Sequence, residues 1–492
     1  MVPAPPFCRH QLYTRWTGAA PGFIRPLMSD VTQQALKAAE WERRALTLES
    51  ENRLTEARDA FEAALRLDPT SKSLAEGRAR LAIRLDEDGA AQHCARALAF
   101  HDSDPELQIQ MIGTATAGLG GAAIPLLESF LDRHPYNVAA HEMLAELRSQ
   151  YEDADRFTDR YISALESHPD DKQLLMSYWN TLTRARRYEA ALESMDRKRA
   201  IFECDRDFAL LEANAANHAG LTDVAGKALD RLDERLDSQL ARGQHRLQTN
   251  RPEEASTLLE EIVKAEPDNL SAWALLEVAW RLSNDNRHKW LACQPGIVGS
   301  VDLDLDAAQL GEIADILRRI HRARAQPIGQ SVRGGTQTPG QLFVRSEPEI
   351  GLLTNALAEG IRQFHTKLPP ADPHHPLLKH RNEGLAFGPS WSVRLIDDGF
   401  HAAHFHPGGV LSSACYISLP EGIAGSSEQE GWLEIGRPPA EMRIDLPPLV
   451  TFEPKPGRLV LFPSYLFHGT RPFSSGERLT VAFDLVPVPI DG

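Results

Sequence analysis

The sequence predicts a multidomain chain built from two architectures. An all-α solenoid of short helix pairs is followed by a mainly-β double-stranded β-helix, or jelly roll, with supporting helices. Three observations predict this. From Met28 to about Arg281, apolar residues recur at three- and four-residue spacing, the period of helices with one buried stripe. Within that region Pro residues stand at intervals of 36, 30 and 34 residues after Pro69, and such a period marks a solenoid in which each helix pair covers its neighbour's apolar face. From Ser390 onward the pattern changes to short runs broken by Gly and Pro turns, which is how a sandwich or jelly roll reads. The divisions that follow are a leader over 1–27, a solenoid over 28–283, a connector over 284–340 and the β domain over 341–492.

At 492 residues and 42% hydrophobic, the chain is long and apolar enough for two or three domains with real cores. A net charge of −16 with no cluster of Lys and Arg excludes a broad nucleic-acid surface. The five cysteines, Cys8, Cys94, Cys204, Cys293 and Cys415, are scattered and form no Cys-x-x-Cys pair, so reduced thiols in the cytoplasm are expected. No stretch is expected to reach the ~20 apolar residues of a membrane span, so no membrane partner is expected. The first 27 residues are rich in Pro, Arg and aromatics, lack a continuous apolar core and precede Met28-Ser29-Asp30. They read as a disordered leader or, in preference, as an over-extended start.

The clearest helical unit carries Trp41, Ala45, Leu48, Ala57, Phe61, Ala64 and Pro69. Small residues let two helices approach and large ones fill the groove between them, and at these offsets the unit resembles a tetratricopeptide repeat. Further unit ends are read at Asp104-Pro105, His134-Pro135, His168-Pro169 and Glu266-Pro267. Two units are degenerate: His93 stands where Ala is expected, and Met195 to Asp207 has no closing Pro. The resemblance implies a concave groove for a peptide or partner protein. The alternative is an array that packs on the C-terminal domain or dimerises.

In the connector, Pro295, Gly296, Gly299 and the alternating Asp302 to Asp306 break the repeat rhythm, and a helix from Ala307 to Ala323 follows. Gln330 to Thr338 reads on its residues as a polar, Gly-containing surface turn. A support helix is expected from Pro348 to about His365. His374, His375 and His380 lie among prolines and read as an exposed loop rather than a metal cluster.

The β domain carries the chemistry. In a strand alternate side chains share a face, so His404 and His406 in a strand over 401–406 point the same way, as two ligands of one metal must. His468, after an apolar strand, completes a set of three. Glu477 to Val486 alternates as a strand with Arg478 and Thr480 on one face, and Arg is the side chain that grips a carboxylate bidentately. The bland readings are half-buried polar histidines and an Arg478–Glu477 surface pair. His401 reads as a loop residue or a substrate contact, Tyr416 as a cofactor contact and Arg394 as a substrate contact. Trp391 and Trp432 read as core, and Asp397 and Asp398 as a turn with reserve carboxylates.

Taken jointly, His404-Phe405-His406-Pro407, Gly457 to Ser464, His468-Gly469-Thr470 and Arg478-x-Thr480 resemble the iron(II) and 2-oxoglutarate-dependent oxygenases. More narrowly they resemble a bacterial group in which that domain follows tetratricopeptide repeats. The resemblance covers roughly Gln330 to Pro487 and implies Arg333 or Gln337 at the mouth of the site. It implies a hydroxylase using Fe(II), 2-oxoglutarate and O2, with the 2-oxoglutarate carboxylate held by Arg478 and Thr480, catalysis by His404, His406, His468 and Arg478, and succinate and CO2 as co-products. A peptide or protein side chain presented by the repeats is the implied substrate. The family's first motif is His-x-Asp or His-x-Glu, whereas here His406 holds the carboxylate position. Three-histidine ligation by His404, His406 and His468, or two histidines and water, both remain open. The alternatives are a repeat scaffold with a degenerate oxygenase domain, and a cupin-type metal enzyme, which the window Pro407 to Leu411 disfavours because it lacks a Glu.

Overall fold

The computed structural model describes residues 30–488 except 52, 86, 154, 339, 340 and 424, and the leader expected over 1–27 lies outside the described residues. The chain divides into two compact units between Leu85 and Asp86. The first is formed by helices α1 (Asp30–Ser50), α2 (Leu54–Leu67) and α3 (Lys72–Arg84). Their core is the set the sequence singles out: Ala45, Leu48, Ala57, Phe61 and Ala64, joined by Leu74 and Leu81. Gly77 is where α3 crosses closest, since a Cβ there would lie 2.4 Å from the Phe61 ring. Asp68 caps the end of α2 and Pro69 follows it.

In the second unit, helices run from α4 (Ala90–Leu98) to α16 (Arg287–Ala292). The side chains of Asp104, Asn137, Asp171, Asp205 and Asn269 each accept a backbone N–H three residues on, which fixes five helix starts. One expectation is corrected by this pattern. Asp104-Pro105 opens α5 (Pro105–Leu119) with a capping Asp and an N-terminal Pro, instead of closing a unit. His134, His168 and Glu266 stand at helix ends as expected. A second correction concerns length and composition alone. Pro105–Arg133 is apolar and long enough to pass as a membrane span, but it is broken at Gly120–Ala123 into α5 and α6 (Ile124–Arg133).

The β domain holds a six-stranded sheet in the order β1-β7-β4-β9-β3-β2 and a three-stranded sheet in the order β6-β5-β8. Their ranges are β1 (Gly299–Asp302), β2 (Val332–Gln337), β3 (Gly384–His401), β4 (Leu411–Ser418), β5 (Leu433–Ile435), β6 (Val450–Phe452), β7 (Arg458–Pro463), β8 (His468–Thr470) and β9 (Glu477–Val488). Every pairing is antiparallel. The connector supplies both edge strands of the larger sheet. The stretch read as a loop over 330–338 is therefore mostly strand, with a bulge at Gly334 (φ +67°) where a Cβ would meet the Gly399 backbone at 3.0 Å. Helices α17 (Ala307–Ile320) and α18 (Pro348–Lys367) match their expected positions. Gly360 of α18 lets the helix seat on Leu303 and Leu459.

One apolar core runs from Leu247, near the end of the helical array, to Leu485 in β9, so the last helix pairs and the sheets fold around common side chains. Polar ties reinforce it. Tyr465 donates to Leu291 O at 2.7 Å, Gln248 donates to Glu441 O at 3.0 Å and Arg443 donates to Ala219 O at 2.7 Å. His375, expected in an exposed loop, is fully buried in this joint. Its Nδ1 accepts from the Leu377 and Leu378 N–H groups, its Nε2–H donates to Leu291 O, and burial holds its pKa down to about 4.

Candidate metal centre and cleft

The His404 and His468 backbones exchange hydrogen bonds of 3.0 and 2.8 Å, and the His406 N–H donates to Ser464 O at 2.9 Å. These bonds bring the segment after β3 alongside the start of β8. The strand expected over 401–406 is thus an end of β3 followed by an extended, tethered segment. The consequence read from alternation still holds. His404, His406 and His468 each offer a ring nitrogen, and these atoms all lie within 4.8 Å of one another.

What the other ring nitrogens do fixes the chemistry of the cluster. Nδ1 of His404 faces Ala402 O at 2.9 Å, Nδ1 of His468 faces Leu466 O at 3.0 Å, and Nδ1 of His406 faces Asp484 Oδ1 at 2.6 Å. A carbonyl or carboxylate oxygen only accepts, so each Nδ1 carries the proton, and Nε2 is the nitrogen that presents a lone pair when the ring is neutral. Burial holds His404 down to about 3 and His468 well below its ordinary value, which keeps these two rings neutral. Three Nδ1-anchored imidazoles whose other ring nitrogens gather in one place fit a divalent transition metal.

Asp484 is the residue the sequence reading misses. Ser412 Oγ lies 2.6 Å from its Oδ1, and the carboxylate is 6% exposed. A carboxylate is therefore present, one side chain behind the position that His406 occupies. The available signal was the strand period: 478, 480, 482 and 484 share one face of β9. Asp397 and Asp398, expected in a turn, lie instead within β3 where its pairing with β2 is irregular, with Asp397 Oδ1 accepting the Gly476 N–H and Asp398 at φ +60°.

Arg478 is 1% exposed and its guanidinium carbon sits 5.1 Å from the Tyr416 ring centre. Its Nε and Nη1 and the Tyr416 hydroxyl are buried without hydrogen-bond partners. Burial pulls the Arg478 pKa down from its ordinary value. Thr480 is 4% exposed on the same face. A buried cation with two unsatisfied donors beside an unsatisfied hydroxyl has the chemistry to take up a carboxylate. The surface pair with Glu477 does not form. Glu477 instead takes Arg318 at 2.7 Å and Arg394 at 2.5 Å. Arg394 is accordingly corrected from substrate contact to structural partner, because it is one residue out of phase with Leu395, which pairs with Arg478.

His404 and His406 of the histidine cluster line a cleft of about 1520 Å³. Tyr188, Asn214 and Gln244 from the helical array line one side, and Trp391, His404 and His406 line the other. Arg333 and Gln337 both line it, as expected for a site mouth. Trp391 packs against the buried cluster of Val332, Val393 and Leu395 as expected and also walls the cleft, its ring centre 5.5 Å from that of His406, and Trp432 is half-buried with an unpartnered indole N–H. His401 stands 6.1 Å from His404, ring to ring, with Nδ1 3.1 Å from Ser331 Oγ.

Residues 389–484 match the family described as "Putative 2OG-Fe(II) oxygenase", and residues 38–71 match the tetratricopeptide repeat. No curated protein matches the chain. Solved structures similar to it include HygX from Streptomyces hygroscopicus with nickel and 2-oxoglutarate bound, at 13% identity over 41% of this chain and 85% of that one, TM-score 0.26. A Pseudomonas putida prolyl-4-hydroxylase is 17% identical over 38% of this chain and 92% of its own, TM-score 0.26. A tetratricopeptide repeat protein from Parabacteroides merdae is 14% identical over 50% and 99%, TM-score 0.28. Similarity at these scores says nothing of substrate. The family matches, not these likenesses, identify the parts: a tetratricopeptide repeat at 38–71 and, C-terminal to the helical array, a domain at 389–484 of the family described as "Putative 2OG-Fe(II) oxygenase".

Proposed function

We propose that the protein is an iron(II)- and 2-oxoglutarate-dependent hydroxylase of a peptide or protein side chain presented by the repeat helices. One observation carries the reading: three Nδ1-anchored imidazoles and a buried guanidinium with unsatisfied donors belong to one barrel, and the barrel opens on a cleft walled by the helical array. His404, His406 and His468 would hold the metal. Arg478, with Thr480 and Tyr416 beside it, would take the far carboxylate of 2-oxoglutarate. When bound, the pair supplies oxidative decarboxylation: one atom of O2 enters succinate as CO2 leaves, and the other enters a substrate C–H bond as a hydroxyl.

The chain's own residues supply position and environment. The carbonyls of Ala402 and Leu466 and the Asp484 carboxylate hold the three rings in one tautomer. The barrel excludes water from Arg478, so its charge acts at full strength on a carboxylate. The helical side of the cleft offers the polar side chains of Tyr188, Asn214 and Gln244, in keeping with the interaction role of such repeats. Unpaired cysteines at 94, 204, 293 and 415 suit the cytoplasm as its location.

The test is product formation. Full-length protein supplied with Fe(II), 2-oxoglutarate and a blocked random peptide pool should form succinate together with peptide gaining one oxygen, and His406→Ala should form neither. Succinate output that ignores peptide, with no oxygenated peptide, contradicts the reading.

A further inference from the structure

The charges lining the cleft are paired with a single exception. Arg184 pairs with Glu146 at 3.4 Å, Arg187 with Asp155 at 2.6 Å, and Arg186 with Glu441. Of the acids, Asp237 pairs with Arg206, and Asp484 accepts the His406 Nδ1–H. Arg333 differs. Its Nη1 donates to two backbone carbonyls, Gln330 O at 2.7 Å and Val332 O at 2.6 Å, which anchor the guanidinium on β2. Among the described residues no carboxylate pairs with it, and the charged side chain that acts on it most strongly is another cation, Arg186. Burial and that neighbour pull its pKa down to about 10, so it remains a cation at neutral pH. Its chain neighbour Val332 pairs with His401 in the sheet, and Arg333 lines the same cleft as His404.

A half-buried cation in a cleft, backed by carbonyls and facing a like charge, is incomplete without an anion. The anion of 2-oxoglutarate already has a receptor inside the barrel at Arg478. The incoming substrate is then the source of a second one.

We propose that the substrate is an acidic peptide segment, and that Arg333 binds the carboxylate of an Asp or Glu side chain next to the residue placed at the metal centre. This rests on the reading above that the cleft receives a peptide. Arg333 is a specificity residue in this proposal, acting on the substrate before any chemistry. Arg186 adds to the positive field, while its pairing with Glu441 leaves Arg333 as the main contact.

The test uses full-length protein and three fluorescent, end-blocked dodecapeptide pools. The pools are random over uncharged residues and differ at a fixed central position, which is Glu, Gln or Lys. Wild type should bind the Glu pool about tenfold more tightly than the Gln pool, the scale of one charge-assisted bidentate contact. Arg333→Met should bind the two equally, and Arg333→Glu should move the preference to the Lys pool. Equal binding of the three pools by wild type, at any level including none, overturns the proposal, as does a Glu preference that survives in Arg333→Met. Stabilisation of the same samples by 2-oxoglutarate, read by thermal melting in Mn(II), reports the oxygenase reading separately, so failure of either is seen without the other.

Discussion

Arg478→Met should give a protein that is more stable than wild type when no 2-oxoglutarate is present and that gains nothing when it is added. The expectation follows from burial. Arg478 is 1% exposed with two donors unsatisfied, and a buried charge lacking its partner is costly in a way that an apolar side chain of similar length is not. Removing it should raise the unfolding free energy of the ligand-free protein by about 1–3 kcal/mol. Wild type should recover that deficit on binding: at a hundredfold excess over Kd, 2-oxoglutarate with Mn(II) should stabilise it by about 2.7 kcal/mol, and the variant not at all. Thermal melts of both proteins with and without the two ligands check this. A variant less stable than wild type in the absence of ligand would mean that the guanidinium is satisfied by a group other than a ligand.

The second large effect is expected at Asp484, which touches no metal in this arrangement. Asp484→Ala should weaken metal binding by about 10–100-fold, because outer partners of ligating histidines fix ring orientation and raise basicity. Asp484→Asn should fall between, since its amide oxygen still accepts the His406 Nδ1–H while the negative charge is gone. Competition of Co(II) or Fe(II) against a chromogenic chelator reads both. His406→Ala should lose at least as much affinity as Asp484→Ala. If Asp484→Ala binds metal like wild type while His406→Ala does not, the carboxylate serves packing alone.

The legible part of this protein was whatever depends on period. Helical spacing gave the array, and strand alternation gave His404 with His406 and Arg478 with Thr480, because both follow from backbone geometry that tertiary packing does not alter. The same alternation placed Asp484 on the Arg478 face, but a lone acid near the end of an apolar strand reads as the strand's last solvent-facing residue until Ser412 and His406 are seen against it. Arg394 shows the reverse. Its identity suggested a substrate contact, and only the register against β9 reveals that it faces Glu477 on the other side of the sheet.

The connector was illegible for a different reason. Val332 to Gln337 is rich in Gly and polar residues, as a loop would be, and it becomes a strand because β3 offers it an open edge. Asp104-Pro105 is a further case. X-Pro both ends one helix and begins the next, and the capping Asp, accepting from the Leu107 N–H, decides in favour of a beginning.

The most direct single test is an anaerobic titration of metal-free, full-length protein with Fe(II) and then 2-oxoglutarate, followed by visible absorption. A three-imidazole centre with Arg478 in the same domain should give the weak charge-transfer band of a 2-oxoglutarate chelate in wild type, lose it in His404→Ala and His406→Ala, and show it in Arg478→Met only at far higher 2-oxoglutarate. Absence of the band in wild type at every iron and 2-oxoglutarate concentration would contradict the oxygenase reading and leave a repeat protein with a histidine-lined, inert barrel.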